Sequence, residues 1–316
     1  MNGWSLGGIG AAIVVALIVL LLACFVAVWL ESRSLTSPRG YSQPDPNGFV
    51  FSQTPKTEAD LDFEDISFPA PNGETLRGWL VPASQPSDLA IVTLHGAGGD
   101  RRSYFDQLGM LHDLGATVLM FDARENGLSD GRGRGIGLAV REAEDAIAAV
   151  AEMRERGFER VVAYGCSLGG SAAIIAAARD TSIDGIIVEA SLSSFEDFVA
   201  DKANRRLGKL GLKATWATDM WGRAVISMSR WRMGLNSYVT PEDVIERIAP
   251  RPVLLIHGRR DPWVIEAHAD ALVSRSDPGT EYWLIEDADH CDGYQVAGDE
   301  YRARVEAFIA RVEAAD

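Results

Sequence analysis

Six short apolar runs alternating with helix-patterned segments leave this chain few folds to choose from. The runs fall at residues 89–94, 117–121, 161–164, 186–188, 253–256 and 282–285. Stretches with helical periodicity occupy 101–114, 138–156, 168–179, 264–274 and 300–314. Strands this apolar need cover on both faces, and strands joined through helices run parallel. The pattern therefore predicts an α/β architecture, a mostly parallel central sheet with helices on both faces. At its start, residues 66–70 and 75–81 flank Pro71-Asn72-Gly73-Glu74. An Asn-Gly pair between two strand-like runs predicts a hairpin, which adds antiparallel strands at one edge.

The alternation breaks once, over residues 194–248. Trp216, Trp221 and Trp231 lie there with Met220, Met228 and Met233. Between positions 202 and 232 the basic residues are Lys202, Arg205, Arg206, Lys209, Lys213, Arg223, Arg230 and Arg232, against Asp219 alone. This composition predicts a helical insertion that caps the domain. Basic residues interleaved with tryptophan suit an interfacial surface, so the cap is a candidate for contact with an anionic bilayer. The competing reading pairs these cations with acids elsewhere on the domain.

No charged residue occurs from position 7 to 30. About 24 residues of helix reach roughly 36 Å, enough for a hydrocarbon core of about 30 Å. Trp4 and Trp29 stand near its ends, where membrane interfaces favour tryptophan. A soluble helix of this length shows a polar face, and this one has none. A cleaved signal peptide would carry a basic leading segment and an A-x-A-like site, both missing here. Leu21-Leu22-Ala23-Cys24 has the look of a lipoprotein cleavage box, but the apolar run continues through Phe25 to Leu30. The expected organisation is a short tail (1–6), a single transmembrane helix (7–30), a Ser/Pro/Gly-rich linker (31–60) and one domain (61–316). Arg33 and Arg39 follow the span and no basic residue precedes it, which favours a cytoplasmic location for the domain after it.

Composition excludes some functions. The formal net charge of −15 over 316 residues argues against a general nucleic-acid binder, which must neutralise phosphates. Three cysteines are too few for a disulfide framework, so Cys166 and Cys291 are expected to be small buried thiols rather than a redox pair. No Cys/His cluster has zinc spacing, and no metal is expected.

Gly165-Cys166-Ser167-Leu168-Gly169 matches G-x-S-x-G between an apolar run and a helix-patterned stretch. A sharp strand-to-helix turn exposes a serine hydroxyl, and the helix amino terminus favours a developing oxyanion. Serine needs a base to take its proton, and the base needs an acid to orient it. Asp261 stands just past the run at 253–256, in His257-Gly258-Arg259-Arg260-Asp261. His290 follows the last run, in Asp287-Ala288-Asp289-His290-Cys291-Asp292. The order Ser167, Asp261, His290 is that of a nucleophile-elbow triad. His95, His112, His257 and His268 are assigned structural duties. Asp289 and Asp292 are too near His290 in the chain to present a carboxylate to its far nitrogen. In His95-Gly96-Ala97-Gly98-Gly99, small residues after a strand let a backbone N–H approach the substrate, so Ala97 and Leu168 are the candidate oxyanion donors.

Together with Leu94-His95-Gly96 and the stretch Phe121-Asp122-Ala123-Arg124-Glu125-Asn126-Gly127-Leu128-Ser129-Asp130-Gly131, these motifs resemble the α/β-hydrolase superfamily. They are most similar to its membrane-anchored Bem46-like and serine aminopeptidase-like branch. The resemblance spans roughly residues 62–314. The family usually has an aromatic residue at the place of Ala123 and glycine at that of Glu125. It implies hydrolysis of an ester, thioester or amide through an acyl-enzyme, with no cofactor, on a small-molecule or lipid-like acyl substrate. An acyltransferase with the same triad, or a silent scaffold binding a partner through its cap, are the alternatives.

Overall fold

A computed structural model of the protein describes residues 6–37 and 52–315. The predicted hairpin opens the sheet. β1 (Glu64–Pro69) and β2 (Thr75–Val81) pair antiparallel across the Asn72-Gly73 turn, where Gly73 takes a φ of 81°. The apolar runs become β3 (Leu89–Leu94), β4 (Thr117–Asp122), β5 (Arg160–Cys166), β6 (Gly185–Glu189), β7 (Val253–Gly258) and β8 (Glu281–Ile285). The eight strands lie in the order β1-β2-β4-β3-β5-β6-β7-β8. β2 meets β4 antiparallel, and every pairing from β4 onward is parallel.

Period-two alternation sends successive strand residues to opposite faces. Ala90, Val92, Val161, Ala163, Ile186 and Val188 belong to one core, and Leu89, Ile91, Val162, Tyr164 and Ile187 to the other. In chain order the helices are α1 (Leu6–Thr36), α2 (Pro55–Ala59), α3 (Phe105–Asp113), α4 (Val140–Glu155), α5 (Leu168–Arg179), α6 (Phe195–Gly208), α7 (Thr215–Met233), α8 (Pro241–Val244), α9 (Glu266–Arg275) and α10 (Gly293–Ala314). Alanine-rich stripes of α4 and α5 cover the first core; Leu108 and Leu111 of α3 and Val305 and Phe308 of α10 cover the second. α10 begins earlier than its periodicity predicts and breaks at Gly298 (φ 35°, ψ −101°).

The insertion between β6 and β7 is helical, as expected. α6 and α7 pack so closely that a Cβ on Gly222 would lie 2.3 Å from the Glu196 carbonyl oxygen. α1 departs from expectation. Rather than ending near residue 30 and giving way to a linker, it runs to Thr36 and lies against α7. The Ser229 hydroxyl donates to the Ser32 Oγ at 2.9 Å, and Arg232 Nη1 reaches Ser32 at 3.0 Å and Thr36 at 3.3 Å. Lys202 Nζ lies 2.6 Å from Glu31, and the Ile136 N–H donates to the Thr36 carbonyl. The rest of the expected linker holds α2, while residues 38–51 lie outside the described part of the chain. Side chains from residue 10 to 27 are exposed, and the helix is long and apolar enough to cross a membrane.

Candidate active site

β5 ends in the G-x-S-x-G turn and α5 begins at its next residue. Ser167 between them has φ 55° and ψ −118°, a conformation that L-residues rarely adopt. Glycines make the turn possible. A Cβ on Gly169 would sit 1.9 Å from the Leu94 carbonyl oxygen, and one on Gly165 would sit 2.3 Å from that of Gly169. The Ser167 N–H donates to the Glu189 carbonyl at 2.9 Å, which ties the elbow to β6. Leu168 opens α5, so its N–H belongs to the unpaired set at a helix start.

Asp261 and His290 come together from the loops after β7 and β8. His290 Nδ1 and Asp261 Oδ2 lie 2.6 Å apart, and the Asp261 side chain is wholly buried. Its other oxygen accepts from the N–H groups of Trp263 and Val264 at 2.8 and 2.9 Å, which fixes the carboxylate plane. The rival carboxylates are elsewhere. Asp289 is exposed, and Asp292 accepts from the Asp289 N–H. The His95–Gly99 loop passes over the serine: a Cβ on Gly96 would lie 3.4 Å from the Ser167 Cβ.

Two cavities meet at Ser167, Ala97 and His290. The larger, of 530 Å³, is walled by Leu192, Phe195, Phe198 and Trp263, and by Leu35 of α1. The smaller, of 240 Å³, is lined by Tyr104, Gln107, Glu189 and both Cys166 and Cys291. The two cysteines are not separate thiols, as the sequence suggested, but a disulfide with a Cα–Cα distance of 6.2 Å. It joins the residue before Ser167 to the residue after His290. Elbow and histidine loop converge only in the folded chain, which brings together sulfurs 125 residues apart.

A sequence model of the alpha/beta hydrolase family matches residues 91–304. The chain belongs to that family. A protein of Escherichia coli O157:H7 named YfhR is 28% identical over 253 residues, covering 78% of this chain and 80% of its own. A polyketide transferase of Stachybotrys chlorohalonatus is 30% identical over 145 residues, 45% of this chain and 48% of its own. Among solved structures, a Pyrococcus furiosus esterase has a TM-score of 0.65 at 23% identity, covering 83% of this chain and 97% of the other.

In this α/β-hydrolase the remaining histidines are engaged elsewhere or remote. His95 Nε2 accepts from the Ala123 N–H, and its Nδ1 lies 2.9 Å from the Gly96 carbonyl. His257 Nε2 meets the Val264 carbonyl, and burial lowers its pKa below the usual imidazole value. His268 Nδ1 lies 2.8 Å from the Ser193 hydroxyl, and His112 sits on α3. Glu125, at the usual glycine position, has φ 69°. Its carboxylate offsets that strain by accepting from the N–H groups of Arg132, Gly133 and Arg134. Neighbouring Asp122 takes Arg101 as a buried ion pair at 2.8 Å.

The roles of Leu35, Glu189 and Gln107 are absent from the sequence reading. Glu189 stands just past the apolar run at 186–188 and belongs to no motif in the sequence. Burial pushes its carboxyl above the usual range, against hydrogen bonds from the Gly293 N–H and the Tyr301 hydroxyl that favour the ionised form. The cap's cations divide evenly: Arg206, Lys209, Lys213 and Arg223 are exposed, while Lys202, Arg205, Arg230 and Arg232 are half-buried against partners. Lys202 and Arg206 face Glu31, Arg205 donates to the Trp263 carbonyl, Arg230 lies over Tyr238, and Arg232 reaches α1. No group of acidic, cysteine or histidine side chains suited to a metal ion occurs among the described residues.

Proposed function

We propose that this α/β-hydrolase is a serine esterase of the membrane-anchored, capped kind that works through an acyl-enzyme. Ser167 Oγ attacks the ester carbonyl while His290 takes its proton, and Asp261 stabilises the imidazolium. The N–H groups of Ala97 and Leu168 hold the oxyanion. The C–O bond to the leaving alcohol breaks as His290 returns the proton to it. Water then repeats the sequence, releasing the acid and restoring the hydroxyl. The single observation that carries this reading is the 2.6 Å contact between buried Asp261 and His290, with His290 lining the same two cavities as the strained Ser167.

A second reading has its own support. Curated relatives include polyketide transferases, and the smaller cavity gives a second molecule room beside the acyl-enzyme. With an acceptor alcohol in place of water, the same steps transfer the acyl group. Labelling with a fluorophosphonate tests the shared chemistry: the wild type labels, and Ser167→Ala does not. Undiminished labelling of that variant sinks the assignment. Product analysis with and without an added alcohol then separates ester transfer from hydrolysis.

A further inference from the structure

The large cavity has one wall that does not come from the hydrolase domain. Leu35 lines it, with Ser34 and Ser37 at its edge, and all three belong to α1 or the residue after it. α1 is the helix whose preceding turns are exposed and apolar. Leu30, the last residue of the uncharged run, precedes Leu35 by about 7.5 Å of helix rise. The headgroup layer on each side of a bilayer is about 5–7 Å thick. With the uncharged run spanning the hydrocarbon, the cavity wall therefore stands at the outer margin of the headgroup layer. Trp29 carries Arg33 over its ring at 5.0 Å, a pairing suited to that layer.

The cap points the same way. Ser229 meets Ser32 and Arg232 meets Thr36, offsets of 197 and 196 residues, so α7 runs in the same sense as α1 where the two touch. Its amino-terminal end and the turn before it are thus directed toward the membrane-spanning turns. Leu210, Leu212, Trp216 and Met220 are exposed there, at 73%, 55%, 71% and 63%. The same contacts fix the cap on the anchor, so the cavity is held at that depth rather than tethered at a variable distance.

We infer that the anchor helix is part of the substrate pocket, with Leu35 a specificity-determining residue, and that the substrate is a bilayer-resident ester whose long acyl chain enters beside α1. This rests on the esterase reading given above. Beyond Ser167 and His290 the pocket offers Leu192, Phe195, Phe198 and Leu35 to an acyl chain, and 530 Å³ falls within the range of sites that enclose whole ligands.

The test uses the full chain reconstituted in phosphatidylcholine vesicles, with water-soluble p-nitrophenyl acetate and vesicle-borne 4-methylumbelliferyl oleate as substrates. Leu35→Trp fills the cavity, and the oleate-to-acetate ratio of kcat/KM is expected to fall by about tenfold or more. Leu30→Trp, on an exposed position of the same helix, is expected to keep the wild-type ratio. A Leu35→Trp ratio within about twofold of wild type, or an equal fall in Leu30→Trp, overturns the inference. Should Leu35→Trp fail to take a fluorophosphonate, Leu35→Ala decides: its KM for oleate rises several-fold, and an unchanged KM overturns the inference. A wild type that labels at Ser167 but leaves oleate intact removes this proposal and spares the esterase reading. A wild type that does not label removes both.

Discussion

At the scale of single residues, the proposed triad makes the carboxylate facing His290 the decisive test. In Asp261→Asn the side chain keeps an oxygen for the Trp263 and Val264 N–H groups and turns an NH₂ toward His290 Nδ1. That nitrogen must then accept, so the proton moves to Nε2, which can no longer take one from serine. The expected loss is on the order of 10⁴-fold in kcat, whereas Asp289→Asn, at an exposed position, stays within about threefold of wild type. Greater sensitivity at Asp289 in the measured rates reassigns the acid. Glu189 supplies a pH test. Its folded-state pKa is raised by burial, so both states are protonated well below the unfolded value. As pH rises past that value the unfolded chain ionises first, and stability falls until the folded carboxyl also ionises. Glu189→Gln cannot ionise, and the gap between its denaturation midpoint and that of wild type should shift in the variant's favour from acid to neutral pH. A pH-independent gap removes the linkage.

At the scale of elements, the Cys166–Cys291 bridge holds the β5–α5 elbow to the loop after β8. Closing a loop of 125 residues is worth about 5 kcal/mol at most in the chain-entropy account. Cys291→Ala should lower the thermal midpoint, and it should lower kcat more than it raises KM because it frees the histidine loop. Equal midpoints in wild type and variant, or in wild type with and without reductant, show that the bridge contributes nothing. This link was hidden in the sequence because spacing says nothing about which distant loops converge. The elements themselves were legible: fully buried strands are apolar throughout, and Ser167 announces its turn through the glycines that the close backbone approach requires. The end of α1 was misread for a physical reason. Ser32 and Thr36 are polar and resemble linker residues, but they are buried because Ser229 and Arg232 satisfy their hydroxyls. A polar stripe that meets another polar stripe carries no hydrophobic signature. Leu35, between them, was lost as a pocket residue along with the helix.

At the scale of the whole molecule, the proposal that α1 is a membrane anchor leaves two cues that disagree about which side would hold the hydrolase domain. Arg33 and Arg39 after the span favour the cytoplasm, but Glu31 stands among them and the domain that follows is long. Positive-inside bias is weak for so few charges, and large domains cross largely regardless of charge. The disulfide is the stronger cue. Cytosolic thiol pools keep such pairs reduced, whereas a structural bridge persists on the oxidising side. The bridge also borders Ser167 and His290, so a reduced cytosolic form would differ at the site itself. With α1 read as a membrane span, the expected topology therefore places the domain outside the cytoplasm, with the cap resting on the outer face of the bilayer. Two measurements on expressing cells check this. Acid-quenched cells alkylated with a maleimide before and after reduction should show Cys166 and Cys291 protected until reductant is added. Protease applied to intact spheroplasts should digest the domain while leaving cytoplasmic markers whole. Free thiols together with a protected domain place the enzyme on the cytoplasmic face, and the esters within its reach are then those of the inner leaflet.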